Sequence, residues 1–150
     1  MSPTTLAGTD PDCLFCRIVA GALPSRQVYA DDTAVAFLDV APWHRGHTLV
    51  VPRAHVPDLL TGPPQLAAIG PAVDATARLL VDRLGADGLN LLSSAGPVAG
   101  QEVPHLHVHL LPRYADAPGL AHLLGDRGAP PAEPLDADLD AVHARLTGSR

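Results

Sequence analysis

His105-Leu106-His107-Val108-His109-Leu110 alternates an imidazole with an aliphatic side chain over six consecutive positions. Residues two apart share one face of an extended chain, so a strand lines up three rings on one side and three apolar groups on the other. On a helix the same rings would splay around the axis and form no common site. The pattern predicts a strand over 105–111, with Leu106, Val108 and Leu110 in a core. Three polar rings on one face are costly as pure structure, which points to chemistry. Neutral imidazole is a nucleophile, and imidazolium is a donor and acid near neutral pH. A central nucleophile flanked by rings that hydrogen-bond phosphate oxygens suits attack at phosphorus.

The rest of the chain supplies elements of matching size. Cys13–Ala20 reads as a short helix ended by Gly21. Gln27–Ala30 and Ala34–Asp39 read as strands flanking an Asp31-Asp32 turn, and His47–Val51 as a β-branched strand stopping at Pro52. After Pro63-Pro64, Leu66, Ile69, Val73, Ala77, Leu80 and Leu84 recur at helical spacing, with Pro71 predicting a kink or split. Leu89–Ser93 precedes the histidine strand. Leu135, Leu139, Val142 and Leu146 mark a last amphipathic helix, with Asp136, Asp138 and Asp140 near its positive end. Five strands joined mostly as hairpins, with two main helices and this C-terminal one, predict an α+β fold. The expected organisation is a flexible tail over 1–11, one domain over 12–114, an irregular Pro- and Gly-rich connection over 115–134, and a helix over 135–147 packed on the domain.

Composition excludes several partners. The net charge is −6, and no Lys/Arg run collects phosphates or anionic headgroups, so neither nucleic acid nor a membrane surface is an expected partner. Apolar runs such as Thr48–Val51 are too short to span a bilayer, and the start has no secretory pattern. Two cysteines three apart make no disulfide framework; a cytoplasmic setting is expected. With an acidic chain, affinity for an anion must come from local donors. Gly96-Pro97-Val98-Ala99-Gly100-Gln101-Glu102, just before the histidines, is a loop able to present backbone N–H groups to phosphate. Cys13-x-x-Cys16 alone fits redox chemistry, a metal or neither.

Longer segments carry a resemblance. Asp12–Gly21, Val35–Pro42, Arg45–Arg53 and Gly100–Arg113 resemble, in order and spacing, the histidine-triad (HIT) superfamily and its Hint-like branch. The resemblance spans roughly residues 12 to 114. It implies a five-stranded antiparallel sheet, a two-fold homodimer with a continuous sheet, and nucleotidyl transfer. His107 would attack the α-phosphorus of a nucleoside phosphate derivative, His109 would bond the phosphate or protonate the leaving group, and His47 would support the site. Asp39 matches the ribose ligand, and one carboxylate can indeed accept both hydroxyls of a cis-diol. Leu14, Phe15, Ile18, Phe37 and Val40 match the apolar clamp around the base. Gly100, Gln101 and Glu102 match the phosphate loop; the Glu102 backbone N–H suits an anion better than its carboxylate.

Some members with this cysteine pair hold structural zinc with two histidines, and His55 and His105 match those positions. That leaves His105 with two candidate roles, phosphate contact or zinc ligand. No organic cofactor is implied. Ser94 departs from the usual Asn, Trp43 is unusual in its loop and reads as a rim contact or a dimer anchor, and the tail after Arg113 differs from animal Hint proteins. His44, His122 and His143 read as ordinary surface or loop residues. The reading that results is a hydrolase of purine nucleoside phosphoramidates or related nucleoside monophosphate derivatives. The alternatives are a diadenosine-polyphosphate hydrolase or phosphorylase, a nucleotide-responsive regulatory protein with little catalysis, and a bare metal-binding module.

Overall fold

The computed structural model describes residues 8–123 and 136–148. Two strands, β2 (Ala34–Leu38) and β3 (Thr48–Pro52), are buried along their whole length, because both faces of the sheet are covered. That is why they read as continuous apolar runs and not as alternating ones. They sit in the middle of a five-stranded antiparallel sheet completed by β1 (Gln27–Ala30), β4 (Gly88–Leu92) and β5 (Val108–Arg113), in the order β1-β2-β3-β5-β4. The α+β class and the antiparallel sheet read from the sequence are the observed ones.

On one face lies helix α2 (Leu66–Leu84). Its Ile69, Ala72, Leu80 and Leu84 pack on Ala34, Ala36, Leu38, Val50, Leu106, Val108 and Leu110. Each aliphatic side chain so buried contributes about 1.5–3 kcal/mol. Helix α3 (Asp136–Thr147) adds Val142 and Leu146 to this layer. It is tied to the β1 edge by Arg26 Nε donating to Asp140 (2.8 Å) and His143 Nε2 to the Gln27 carbonyl (2.8 Å). On the other face, helix α1 (Leu14–Val19) sets Phe15, Cys16 and Ile18 against Val35, Phe37, Leu49 and Val51. Cys13 caps α1, its Sγ accepting the Cys16 N–H at 3.4 Å.

Several boundaries differ from the sequence reading. The histidine strand begins at Val108, because the Leu106 N–H bonds the Val56 carbonyl (2.8 Å) and the His105 N–H folds back on Val103 (2.9 Å). The alternation of faces survives, since Leu106 is buried with the α2 layer. Asp39 and His47 fall just outside β2 and β3, bracketing the loop between them, where the Asp39 N–H bonds the His47 carbonyl at 2.9 Å. Pro71 does not split α2: Ile69 and Ala72 are fully buried on either side of it, and that packing outweighs one lost backbone bond. His44 and His143 are not idle surface groups, each holding a backbone carbonyl. Residues 1–7 of the expected tail and 124–135 of the expected connection and helix, Leu135 included, lie outside the described residues. No described helix is long and apolar enough to cross a membrane.

Candidate active site and metal centre

His107 is 6% exposed and its ring is held from behind. Its Nδ1 lies 2.7 Å from the His105 carbonyl oxygen, which can only accept, so Nδ1 carries the proton and Nε2 the lone pair. Ser93 Oγ donates to the His107 carbonyl at 2.8 Å, and the Phe15 ring meets the imidazole edge-on at 5.1 Å. Burial lowers the His107 pKa, offset in part by the His105 carbonyl and the Asp39 charge. The ring is therefore held neutral and oriented, with the Nε2 lone pair available.

A second chain of bonds sets His109. The Trp43 N–H donates to His47 Nδ1 at 3.1 Å, which places the His47 proton on Nε2. That Nε2 is 2.9 Å from His109 Nδ1, so His109 accepts there and bears its own proton on Nε2. Burial holds both rings neutral, with pKa values of about 3 for His47 and about 4 for His109, each lowered further by neighbouring histidines. His107 and His109 pack edge to face with centroids 4.9 Å apart, a base beside a donor. Asp39 Oδ2 lies 3.6 Å from His47 Nε2, while Oδ1 accepts the Ala41 N–H at 2.8 Å. Burial raises the Asp39 pKa.

The third member of the triad turns away to another cluster. His105 Nε2 donates to the Pro52 carbonyl at 2.9 Å, freeing its Nδ1. That atom lies 3.4 Å from Cys13 Sγ, 3.5 Å from Cys16 Sγ and 3.2 Å from His55 Nδ1, and Cys16 Sγ is 3.3 Å from His55 Nδ1. A tetrahedron with zinc bonds of about 2.0–2.3 Å spaces its corners roughly 3.3–3.8 Å apart. The four donors fit, and the Asp10 N–H points at Cys16 Sγ (3.4 Å) as a thiolate would want. Asp39, His47 and His109 also lie close together, but His47 Nε2 carries a proton there and has no lone pair for a metal.

The expected clamp divides. Phe15, Ile18 and Phe37 are buried between α1 and the sheet, while Leu14 is 46% and Val40 71% exposed. Ser94 is half-buried, beside the Ser93 that braces His107. In the expected phosphate loop, the amides of Ala99, Gly100 and Gln101 close turns onto Gly96 and Pro97. The Gln101 side chain is likewise spent, bonding Gly96, Pro57 and Val103. Among the described residues of that loop, the exposed Glu102 keeps an amide outside those turns. Sequence reading missed Ser93 and the placement of Trp43, whose indole stacks on His109 at 5.0 Å and 12°. A tryptophan in an otherwise aromatic-poor chain was the available signal.

Comparison with known proteins identifies the family. A family model described as "HIT domain" matches residues 20–116. "Protein hit" of Bacillus subtilis is 41% identical over 109 residues, 72% of this chain and 75% of that protein. "Adenylylsulfatase HINT3" of Arabidopsis thaliana is 39% identical over 103 residues, 68% of this chain and 52% of that one. A solved structure of a Zn-bound histidine triad family protein from Mycobacterium smegmatis superposes with a TM-score of 0.71 at 33% identity, covering 90% of this chain and 93% of that one.

Proposed function

The chain belongs to the HIT domain family, and on that premise we propose that it hydrolyses purine nucleoside phosphoramidates or related nucleoside monophosphate derivatives through a nucleotidyl-histidine on His107. His107 Nε2 attacks the α-phosphorus, forming a P–N bond as the bond to the leaving group breaks. His109 gives its Nε2 proton to the leaving group. Water then attacks the same phosphorus, returns a proton to His109, and releases the nucleoside monophosphate with His107 restored. Asp39 receives the ribose hydroxyls, and the Glu102 amide and neighbouring rings receive phosphate oxygens. Phe15, Ile18 and Phe37 back the base, with Leu14 and Val40 at its open rim.

The observation that carries this reading is the 2.7 Å bond from His107 Nδ1 to the His105 carbonyl, which leaves Nε2 free as a nucleophile. Brief incubation with an adenylyl donor followed by mass spectrometry tests it. An adenylyl adduct on His107, lost in His107→Ala, is expected. Nucleotide binding with no adduct, under acid-minimised work-up, would shift the reading to a binding protein. The similarity to an adenylylsulfatase makes adenylyl sulfate a second substrate to assay, one needing less help from a proton donor.

Cys13, Cys16, His55 and His105 are proposed to hold zinc, stapling α1 to the sheet; metal analysis of purified protein should find about one equivalent. A homodimer is proposed through β4, because the β1 edge is held by His143 and Arg26 contacts to α3, while β4 pairs, among the described residues, only with β5 and leaves Leu91 56% exposed. Sedimentation of Leu91→Lys should show a shift toward monomer.

A further inference from the structure

The reaction just proposed uses His109 as proton donor without asking what fixes its ring. Among the described residues, the groups that define it sit in the loop between β2 and β3. Trp43 contributes twice, through different atoms. Its backbone N–H bonds His47 Nδ1 at 3.1 Å, and His47 passes that constraint to His109 Nδ1 at 2.9 Å. Its indole lies nearly parallel on the His109 ring, at 5.0 Å and 12°, and tilted on His47, at 4.9 Å and 40°. His109 is thus located by an in-plane bond and by a flat neighbour against its face. Its edge-on contact with the nucleophile, 65° at 4.9 Å, follows from both.

The loop carrying Trp43 is anchored on each side. The residue after it, His44, donates from Nε2 to the Leu123 carbonyl at 3.1 Å, and Tyr114 Oη donates to the Arg45 carbonyl at 3.0 Å. Asp39 and His47 close its base. An indole on so constrained a backbone is a fixed surface.

We propose that the Trp43 indole is a positioning residue for His109, holding the plane from which its Nε2 proton reaches the leaving group. This rests on the nucleotidyl-transfer reading of the site. It carries a specific consequence: a substrate whose leaving group must be protonated needs Trp43, and one whose leaving group departs as a stable anion does not. Substitution of the side chain leaves the backbone N–H to His47 in place, so the ring is tested alone.

The test compares the wild-type chain with Trp43→Phe and Trp43→Ala on an adenosine phosphoramidate of an alkyl amine and on the adenosine p-nitrophenyl phosphodiester. Trp43→Ala should lower kcat on the phosphoramidate about tenfold with KM within about twofold, the size expected for losing one aromatic contact to a reacting group. On the p-nitrophenyl ester it should change neither constant by more than about twofold, and Trp43→Phe should recover most of the loss. Equal slowing of both substrates, or no slowing, would overturn the proposal. Nitrogen-15 spectra of the histidine rings give a readout free of turnover. His109 should keep the Nε2–H form in wild type and in Trp43→Ala, because the His47 bond survives, but its ring signals should broaden by exchange in Trp43→Ala as the ring rocks out of its plane; equally sharp His109 signals in both overturn the proposal whatever the kinetics. If the wild-type chain forms no adduct on His107, the catalytic reading fails, and these spectra still decide what Trp43 does to His109.

Discussion

The carbonyl oxygen of His105 accepts the Nδ1 proton of His107 at 2.7 Å, while the His105 ring reaches the opposite way into the Cys13, Cys16 and His55 cluster. One residue therefore joins the proposed nucleophile to the proposed metal site, by its backbone on one side and its side chain on the other. Phe15 packs edge-on against both rings, at 5.9 Å from His105 and 5.1 Å from His107. Loss of a metal ligand should consequently be felt at the nucleophile.

Cys16→Ser tests that link. The variant should retain much less zinc than wild type. If wild type holds the metal at about 100 times its dissociation constant, losing that linkage costs about 2.7 kcal/mol. For a chain of this size the melting temperature should fall by roughly 5–10 °C. The kcat should fall as well, at temperatures where the variant is folded. Thermal unfolding with parallel metal analysis reads the first effect; a variant with full activity and no zinc would separate the two sites.

Acid should destabilise the fold through His47 and His109. Their folded pKa values, about 3 and about 4, lie below the ordinary 6.5 because burial disfavours the charged ring. Between those limits the unfolded chain binds more protons than the folded one, so stability rises with pH. The contribution is complete above about 6.5 and is lost as pH falls through 6 and 5 toward 4. Asp39, raised by burial, acts in the opposite direction, within the carboxylate range. Urea midpoints at pH 7 and pH 5 measure the loss. His47→Gln should be less stable than wild type at pH 7 yet lose less between the two; an unchanged slope would place the acid sensitivity elsewhere.

Much of this was legible because two periodicities were clean. The two-residue repeat of 105–110 told which side of the chain is core, and Leu66 to Leu84 told where the long helix lies. The finer site was less legible, for physical reasons. The histidine row ends its strand pairing at Val108 because the Leu106 amide finds Val56, a contact 50 residues away that no local pattern encodes. Asp39 and His47, the expected end and start of their strands, fall one residue outside β2 and β3 because the loop between them closes its own backbone bond. The two candidate roles of His105 were not separable from sequence, because its ring orientation depends on the distant Pro52 carbonyl, which takes Nε2 and turns Nδ1 toward the cysteines. Pro71 does not split the helix because propensity is local, whereas the burial that overrides it is not.

Asp39 should decide sugar selectivity. It is only partly exposed, has one oxygen on the Ala41 amide, and sits near enough to His47 and His107 to line the same space. A charged hydrogen bond contributes about 1.5–3 kcal/mol, so Asp39→Ala should raise KM for a ribonucleotide substrate by roughly one to two orders of magnitude. The 2′-deoxy substrate should change far less. Steady-state kinetics on the pair reads the ratio, and an equal loss on both would assign Asp39 to the histidines instead of the ribose.

Gly46 supplies the sharpest structural test, because it precedes His47 and has no room for a side chain. Its φ is +85°, a region costly to any residue with a Cβ, and a methyl there would lie 2.4 Å from Leu84 Cδ1 and 3.2 Å from Pro112 Cγ. Leu84 is itself buried at the end of α2, so its Cδ1 can yield only by disturbing the packing around it. Backbone strain of about 1–2 kcal/mol and overpacking of about 1–3 kcal/mol should together lower the stability of Gly46→Ala by roughly 2–5 kcal/mol. The backbone must also shift at His47, pulling its ring off His109, so kcat should fall about tenfold or more even where the variant is folded. Removing the obstacle distinguishes clash from strain. In Gly46→Ala/Leu84→Ala the methyl fits, and activity should recover although the new cavity keeps the protein less stable than wild type. Failure to recover would place the defect in the φ of residue 46 alone, with Leu84 only a bystander.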